Sequence, residues 1–181
     1  MKSVALFILA SLCSFSTWSQ IFEARTGRVS FHSNAPKELI KAESGGLRGA
    51  IDVQKRVFAF RINIISFLGF NSPLQKEHFN ENYMESSIFP EGSFTGKIIE
   101  NIDVSLDGVY EVRAKGKLNI HGIAQERIIK AAIITKGGKI TISSDFIVSL
   151  ADHGIKIPRV VYDKLAPQIN VSVSATLEAV R

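Results

Sequence analysis

The chain has 181 residues, 45% apolar and 22% charged, with thirteen glycines, five prolines and a single cysteine. That length suits one domain able to bury a core without staples, and the lone Cys13 excludes both an intrachain disulfide and a cysteine-built zinc site. The formal charge of +5 is spread among acidic residues and not gathered into a run, which argues against nucleic acid and leaves at most peripheral contact with an anionic membrane.

Residues 1–19 read as a secretory signal peptide. Lys2 supplies the basic start, the run from Val4 to Leu12 the apolar centre, and Thr17 and Ser19 the small residues before a cleavage that leaves Gln20 first. The apolar run is about half the ~20 residues of a membrane helix. An alternative is a lipoprotein acylated at Cys13, but Leu12 stands where a small residue is wanted. Simple cleavage removes Cys13 and with it any thiol chemistry. The mature domain is then residues 20–181, expected in the periplasm or secreted.

From Val57 the order Val-Phe-Ala-Phe-Arg-Ile-Asn-Ile sets Phe58, Phe60, Ile62 and Ile64 on one face and Arg61 and Asn63 on the other. Such alternation marks a strand with one face buried and one wet. The same period runs through Tyr110, Val112, Ala114, Gly116, Leu118 and Ile120, through Ile140, Ile142, Ser144, Phe146 and Val148, and through Ile169, Val171, Val173, Ala175 and Leu177. Strands are expected at 27–32, 39–53, 57–66, 93–99, 108–120, 127–135, 139–150 and 168–180. Gly45-Gly46 should bend the second, and Asp107-Gly108 and Gly137-Gly138 should form tight hairpin turns. Eight antiparallel strands, several of them long, suit a closed barrel, which removes exposed edges. A β-sandwich is the alternative.

Two helical interruptions are expected. Residues 71–86 open with Ser72-Pro73-Leu74-Gln75, a serine cap with glutamine three residues on, and Leu74, Phe79, Tyr83 and Met84 would face the barrel. Residues 158–166, with Pro158 near the start and Pro167 stopping them, are expected to form a short lid-like turn of helix, Val161 and Leu165 standing four apart.

Polar chemistry is sparse. His32, His78, His121 and His153 never stand three or four apart, so a metal site would have to be assembled from distant segments. No serine sits in a nucleophile elbow, and no glycine-rich turn links a strand to a helix. No catalytic residue, metal or cofactor is therefore assigned. His78 is expected to hold its helix by a hydrogen bond. The inward side chains are the remaining signal. An eight-stranded barrel is either filled by them or holds one small ligand, and Ala114, Gly116, Ser144 and Ala175 would leave room.

Three stretches in chain order carry a family likeness: EHFNENYMESSIFPEGSFTGKI at 77–98, GKLNIHGIAQE at 116–126 and DFIVSLADHGIKIP at 145–158. They resemble the YceI-like family of exported, lipocalin-like barrels that bind polyisoprenoid lipids. The resemblance implies an eight-stranded antiparallel barrel with helical segments near one end and an apolar tunnel for an isoprenoid or quinone-like ligand. On that reading Phe58, Phe60, Ile62, Ile64, Tyr110, Val112, Ala114, Leu118, Ile142, Phe146, Val171 and Val173 wall the cavity, and Phe79 and Tyr83 close one end. Burying ~12 methylenes at ~0.8 kcal/mol each contributes on the order of 10 kcal/mol before immobilisation costs. A head group would stay at the mouth, near Arg61, Lys115 or Arg159. The rival readings are an enzyme acting on a small hydrophobic substrate through His78 or His121, and a structural module with a filled barrel. The oligomeric state is open, a dimer included.

Overall fold

The computed structural model describes residues 20–180; the signal-peptide expectation, with Cys13, lies outside the described residues. Ten strands follow in order: β1 (Ile21–Ala24), β2 (Gly27–Asn34), β3 (Leu39–Ser44), β4 (Arg48–Asp52), β5 (Val57–Asn63), β6 (Glu91–Ile98), β7 (Gly108–Ile120), β8 (Ile123–Lys136), β9 (Lys139–Ser149) and β10 (Gln168–Ala179). β1 and β2 run in succession along β10, and β3 and β4 in succession along β2 and β1. Ten strands therefore make eight staves, and the β1–β10 pairing closes the barrel. Every strand pairing is antiparallel, as the alternating pattern predicts.

The first stave begins earlier than expected. Phe22 and Ala24 of β1 are buried, but four residues are too few to show a period before the break at Arg25-Thr26. Gly45-Gly46 falls opposite that break, with Gly46 bridged to Gly27, so the two staves bend as one unit. Gly137 (φ 57°) and Gly138 (φ 74°) form the expected hairpin turn. Asp107-Gly108 does not: residues 99–107 make a loop, and Asp107 Oδ1 accepts from the Gly137 N–H at 2.9 Å. The second tight turn is His121-Gly122, with φ of 53° and 71°.

β5 stops at Asn63, short of the expected Ser66. Asn63 Oδ1 accepts from the Ile65 N–H at 3.1 Å and the Ser66 hydroxyl donates to the Asn63 carbonyl at 2.5 Å, which turns Ile64–Ser66 into a 3₁₀ turn. The chain then peels away from the wall, and Leu68 exchanges both backbone bonds with Glu43 at 2.8 Å. The helical interruption proves to be α1 (Pro73–His78) followed by a π turn, Phe79–Tyr83. Ser72 Oγ caps α1 by accepting from the Gln75 N–H at 3.1 Å, and Gln75 Oε1 reaches back to the Asn71 N–H at 2.9 Å. The second interruption is a 3₁₀ turn, Arg159–Val161, extended by a Leu165 N–H to Val161 carbonyl bond of 3.0 Å.

Gly116 does not widen the interior as expected. A Cβ on Gly96 would meet the Lys115 carbonyl oxygen at 2.1 Å and Gly116 Cα at 2.5 Å, so this cross-strand glycine pair lets β6 and β7 approach closely. Ala175 is likewise spent on packing, against Gly27, whose added Cβ would stand 2.7 Å from it. Gly96→Ala is expected to destabilise the barrel by about 1–3 kcal/mol, read as a lowered Tm in thermal unfolding.

Candidate functional site

The interior is filled at one end and hollow at the other. At the end carrying the 99–107 loop, Phe22, Ile102, Ile140 and Leu177 are 6% exposed or less and pack solidly. Tyr110 belongs to this plug: it packs on the same cluster, and its hydroxyl donates to the Asp103 carbonyl at 2.8 Å. At the opposite end Ile64, Met84, Leu150, Ile155 and Ile169 form a smaller cluster under the helical segments. Between the two lies a cavity of about 560 Å³, within the range of small-molecule pockets.

Of the residues expected to wall it, Phe58, Phe60, Ile62, Ile64, Phe79, Tyr83, Val112, Ala114, Leu118, Ile142, Phe146, Val171 and Val173 do line the cavity. Tyr110 does not, because it is itself part of the plug. Ser144 lines it as well, while its hydroxyl donates to the Lys130 carbonyl at 2.7 Å. Sequence reading missed Phe31, Phe67, Phe70 and Phe94. Phe94 stands on the inward face of β6, 4.9 Å from the Phe58 ring, and period two extended one strand further would have found it. Phe67 and Phe70 follow the peeled segment and carry no periodic signal.

Phe31, Phe67, Phe70 and Phe79 form one aromatic cluster. Phe79 stacks on Phe31 at 5.4 Å and 21° and meets Phe70 at 5.0 Å and Phe67 at 5.9 Å. The π turn places Phe79 here while the Met84 N–H bonds back to the Phe79 carbonyl at 2.9 Å, so one wide turn delivers Phe79, Tyr83 and Met84 to the same interior. Burial pushes the Tyr83 hydroxyl above its ordinary pKa, which keeps the phenol neutral beside an apolar wall.

The mouth is framed by the β2–β3 hairpin, α1 and residues 158–166. Gln75 Nε2 donates to Glu38 at 2.8 Å and Asn71 Nδ2 to the Leu39 carbonyl at 3.1 Å. On the other side the Ala166 N–H donates to the wholly buried Ser33 hydroxyl at 2.9 Å, and Lys37 pairs with Asp163 at 2.5 Å. That hydrogen bond draws the Asp163 carboxyl below its ordinary value and lifts the Lys37 ammonium above its own. Glu38, Ser72, Gln75, His78 and Lys164 are the polar groups of the rim, and Arg61 reaches it from β5. Lys115 is on the outer face and Arg159 is outside the lining, so neither stands at the mouth.

The two histidines of the enzyme reading occupy different places. His78 is exposed at the rim and, among the described residues, its imidazole makes no hydrogen bond, so the side chain does not fix its helix as expected. His121 is outside the cavity wall. Its Nδ1 lies 3.0 Å from the His153 carbonyl, its Nε2 lies 2.6 Å from Glu85 Oε2, and Phe89 meets it edge-on at 4.8 Å. Both Glu85 (φ 43°) and His121 (φ 53°) hold left-handed backbone. This is a clamp joining the end of the helical segment to the β7–β8 turn, with both ring nitrogens already engaged. No group of three or more His, Cys, Asp or Glu among the described residues is placed to hold a metal ion.

A closed antiparallel barrel with one solid end and one apolar, rimmed hollow has the architecture of the lipocalin-like ligand-binding barrels. The chain belongs to the YceI-like family, whose YceI-like domain profile matches residues 3–177. Among solved structures it is similar to a polyisoprenoid-binding domain from Saccharophagus degradans implicated in plant cell wall breakdown, at 13% identity and a TM-score of 0.73 over 90% of this chain and 99% of that one. It is also similar to Burkholderia cenocepacia BcnA, at 12% identity and a TM-score of 0.68 over 83% and 95% of the two chains. The Campylobacter jejuni YCEI protein matches at 16% identity and a TM-score of 0.57 over 77% and 84%. A search of curated proteins finds no match by sequence. Among the described residues no helix is long and apolar enough to cross a membrane.

Two expectations follow from this geometry. Ala114→Phe should fill the middle of the hollow and abolish retention of an apolar ligand with the far-UV circular dichroism unchanged. His121→Ala should lower stability by about 2 kcal/mol through loss of the charge-assisted bond to Glu85, measured by urea unfolding, while ligand retention survives.

Proposed function

We propose that this protein binds a polyisoprenoid or similar amphiphilic lipid non-covalently, as a periplasmic carrier, buffer or store. The observation that carries the reading is the apolar cavity itself, blocked at one end by the Phe22, Ile140 and Leu177 plug and rimmed by polar groups at the other. An isoprenoid tail matches such a wall because its methyl branches need shape and dryness and no hydrogen-bond partner. The polyisoprenoid-binding Saccharophagus domain that the chain resembles supports the same class of ligand.

The polarity of the site orients the cargo. The tail points to the plug, and the head group rests at the rim beside Lys164 and His78. Lys164 has no ion pair among the described residues, whereas Arg61 is engaged with Glu91 at 3.4 Å and Glu38 with Gln75. An anionic head is thus met by the Lys164 ammonium, whose charge also acts on the neighbouring Asp163, at the water boundary, where the charge need not be desolvated. His121 is clamped away from the cavity, and the His78 imidazole stands at the rim with no side-chain hydrogen bond among the described residues, which favours the binding reading over the enzyme reading.

Native mass spectrometry of the protein purified from its own host tests the proposal. A retained apolar species, lost on organic extraction and regained on incubation with an isoprenoid, is the expected result. A bare mass that takes up no isoprenoid would return the barrel to a structural role.

A further inference from the structure

Strands β8 and β9 are paired only from Ala132↔Ser143 to Lys136↔Lys139. β8 stays paired with β7 back to Ile123, and β9 with β10 on to Ser149. The wall therefore parts along a seam on the mouth side of Ala132. Backbone groups on such a seam need partners, and side chains supply them. The Ser144 hydroxyl donates to the Lys130 carbonyl, the Arg127 guanidinium to the Ile147 carbonyl at 2.8 Å, and the Gln125 amide to the Asp152 carbonyl at 2.6 Å. Behind the seam, Ile129 and Ala131 on one bank and Phe146 and Val148 on the other line the cavity.

On the β6–β8 side of this seam the outer face is basic and apolar together, while Asp145 and Asp152 stand on the β9 side and Arg127 pairs with Asp152 at 3.7 Å. Register sets Lys97 directly opposite Lys115 and Arg113 directly opposite Lys130, like charge against like, which destabilises a sheet. Glu100 pairs with Arg113 at 2.7 Å, and Glu126 stands opposite Lys117, with Glu111 on the same face. Among the described residues Lys97, Lys115 and Lys130 have no ion pair. Ile128 and Ile147, 59% and 47% exposed, flank the seam, and Val109 stands opposite Ile134 with both in water. Unpaired lysines interleaved with exposed aliphatic side chains fit a surface that offers anionic head groups above an acyl boundary.

We propose that the outer face of β7 and β8 docks on an anionic phospholipid bilayer, and that the β8–β9 seam is the side port through which lipid passes between that bilayer and the cavity. A lipid taking this route keeps its tail out of water throughout. The port rests on the lipid-binding reading above; the docking face does not.

Flotation with vesicles of phosphatidylcholine, with and without phosphatidylglycerol, tests the face. The protein should float with anionic vesicles alone and be released by high salt. Each lysine near an anionic surface is worth roughly five-fold in partitioning, so Lys97→Glu/Lys115→Glu/Lys130→Glu should lose at least about a hundred-fold. Lys41→Glu/Lys76→Glu/Lys156→Glu, with the same change in net charge, should lose far less. Equal loss in both variants, flotation with neutral vesicles, or a dimer abolished only by the first variant would each overturn the docking face. For the port, Gln125→Ala, which removes a tie across the seam without changing charge, should speed transfer of dansyl-labelled farnesol out of anionic vesicles several-fold at unchanged flotation. An unchanged rate would overturn the port. Failure to take up the probe even from detergent micelles overturns the lipid-binding reading and the port with it, and flotation still decides the face.

Discussion

An eight-stave barrel is just wide enough for side chains to meet across its middle, so whether it is solid or hollow is settled layer by layer. In this protein the layers differ. Phe22, Ile102, Ile140 and Leu177 meet and exclude space at one end, while the layers around Val112, Ala114 and Ile142 do not close. The proposed function rests on that gradient: one blind end, one open end, and an apolar wall between them.

Keeping the open end open is a separate problem, because a greasy hollow tends to collapse or to recruit neighbouring chain. The solution is a frame of directional bonds outside the apolar surface. Ser33, Lys37 and Glu38 on the β2–β3 hairpin hold residues 158–166 on one side and α1 on the other, and the Glu85–His121 clamp secures the far end of the helical segment. Polar contacts fix the rim while the aromatic cluster of Phe31, Phe67, Phe70 and Phe79 lies inside it. The rim ion pair has a defined pH response. The Asp163 carboxyl is drawn down by Lys37, so the contribution of the pair is present above the ordinary aspartate range and is lost as pH falls through the lowered value.

The long strands were legible in the sequence because period two, sustained over seven residues or more, is the mark of a half-buried strand and of little else. Phe58, Val112, Phe146 and Val171 could be placed on the inner face from that period alone. Tyr110 obeys the same alternation yet lies in the plug, since periodicity gives the face of a residue and not its height along the barrel axis. The missed hairpin turn at His121-Gly122 illustrates a second limit: a histidine with positive φ is uncommon, and here Glu85 and the His153 carbonyl hold it.

By itself the sequence determined long antiparallel strands with two helical interruptions, because alternation, turn residues and the Ser72 cap are local signals read within a few residues; closure into a barrel and not a sandwich rests on the β1–β10 pairing. Only the tertiary structure decided where that barrel is hollow. Cavity volume depends on how side chains from staves far apart in the chain fit against one another, as Ala175 against Gly27 and Gly96 against Gly116 show. It decided also which polar groups surround the mouth, since Ser33 and Ala166 are 133 residues apart in the chain and meet only when the barrel closes.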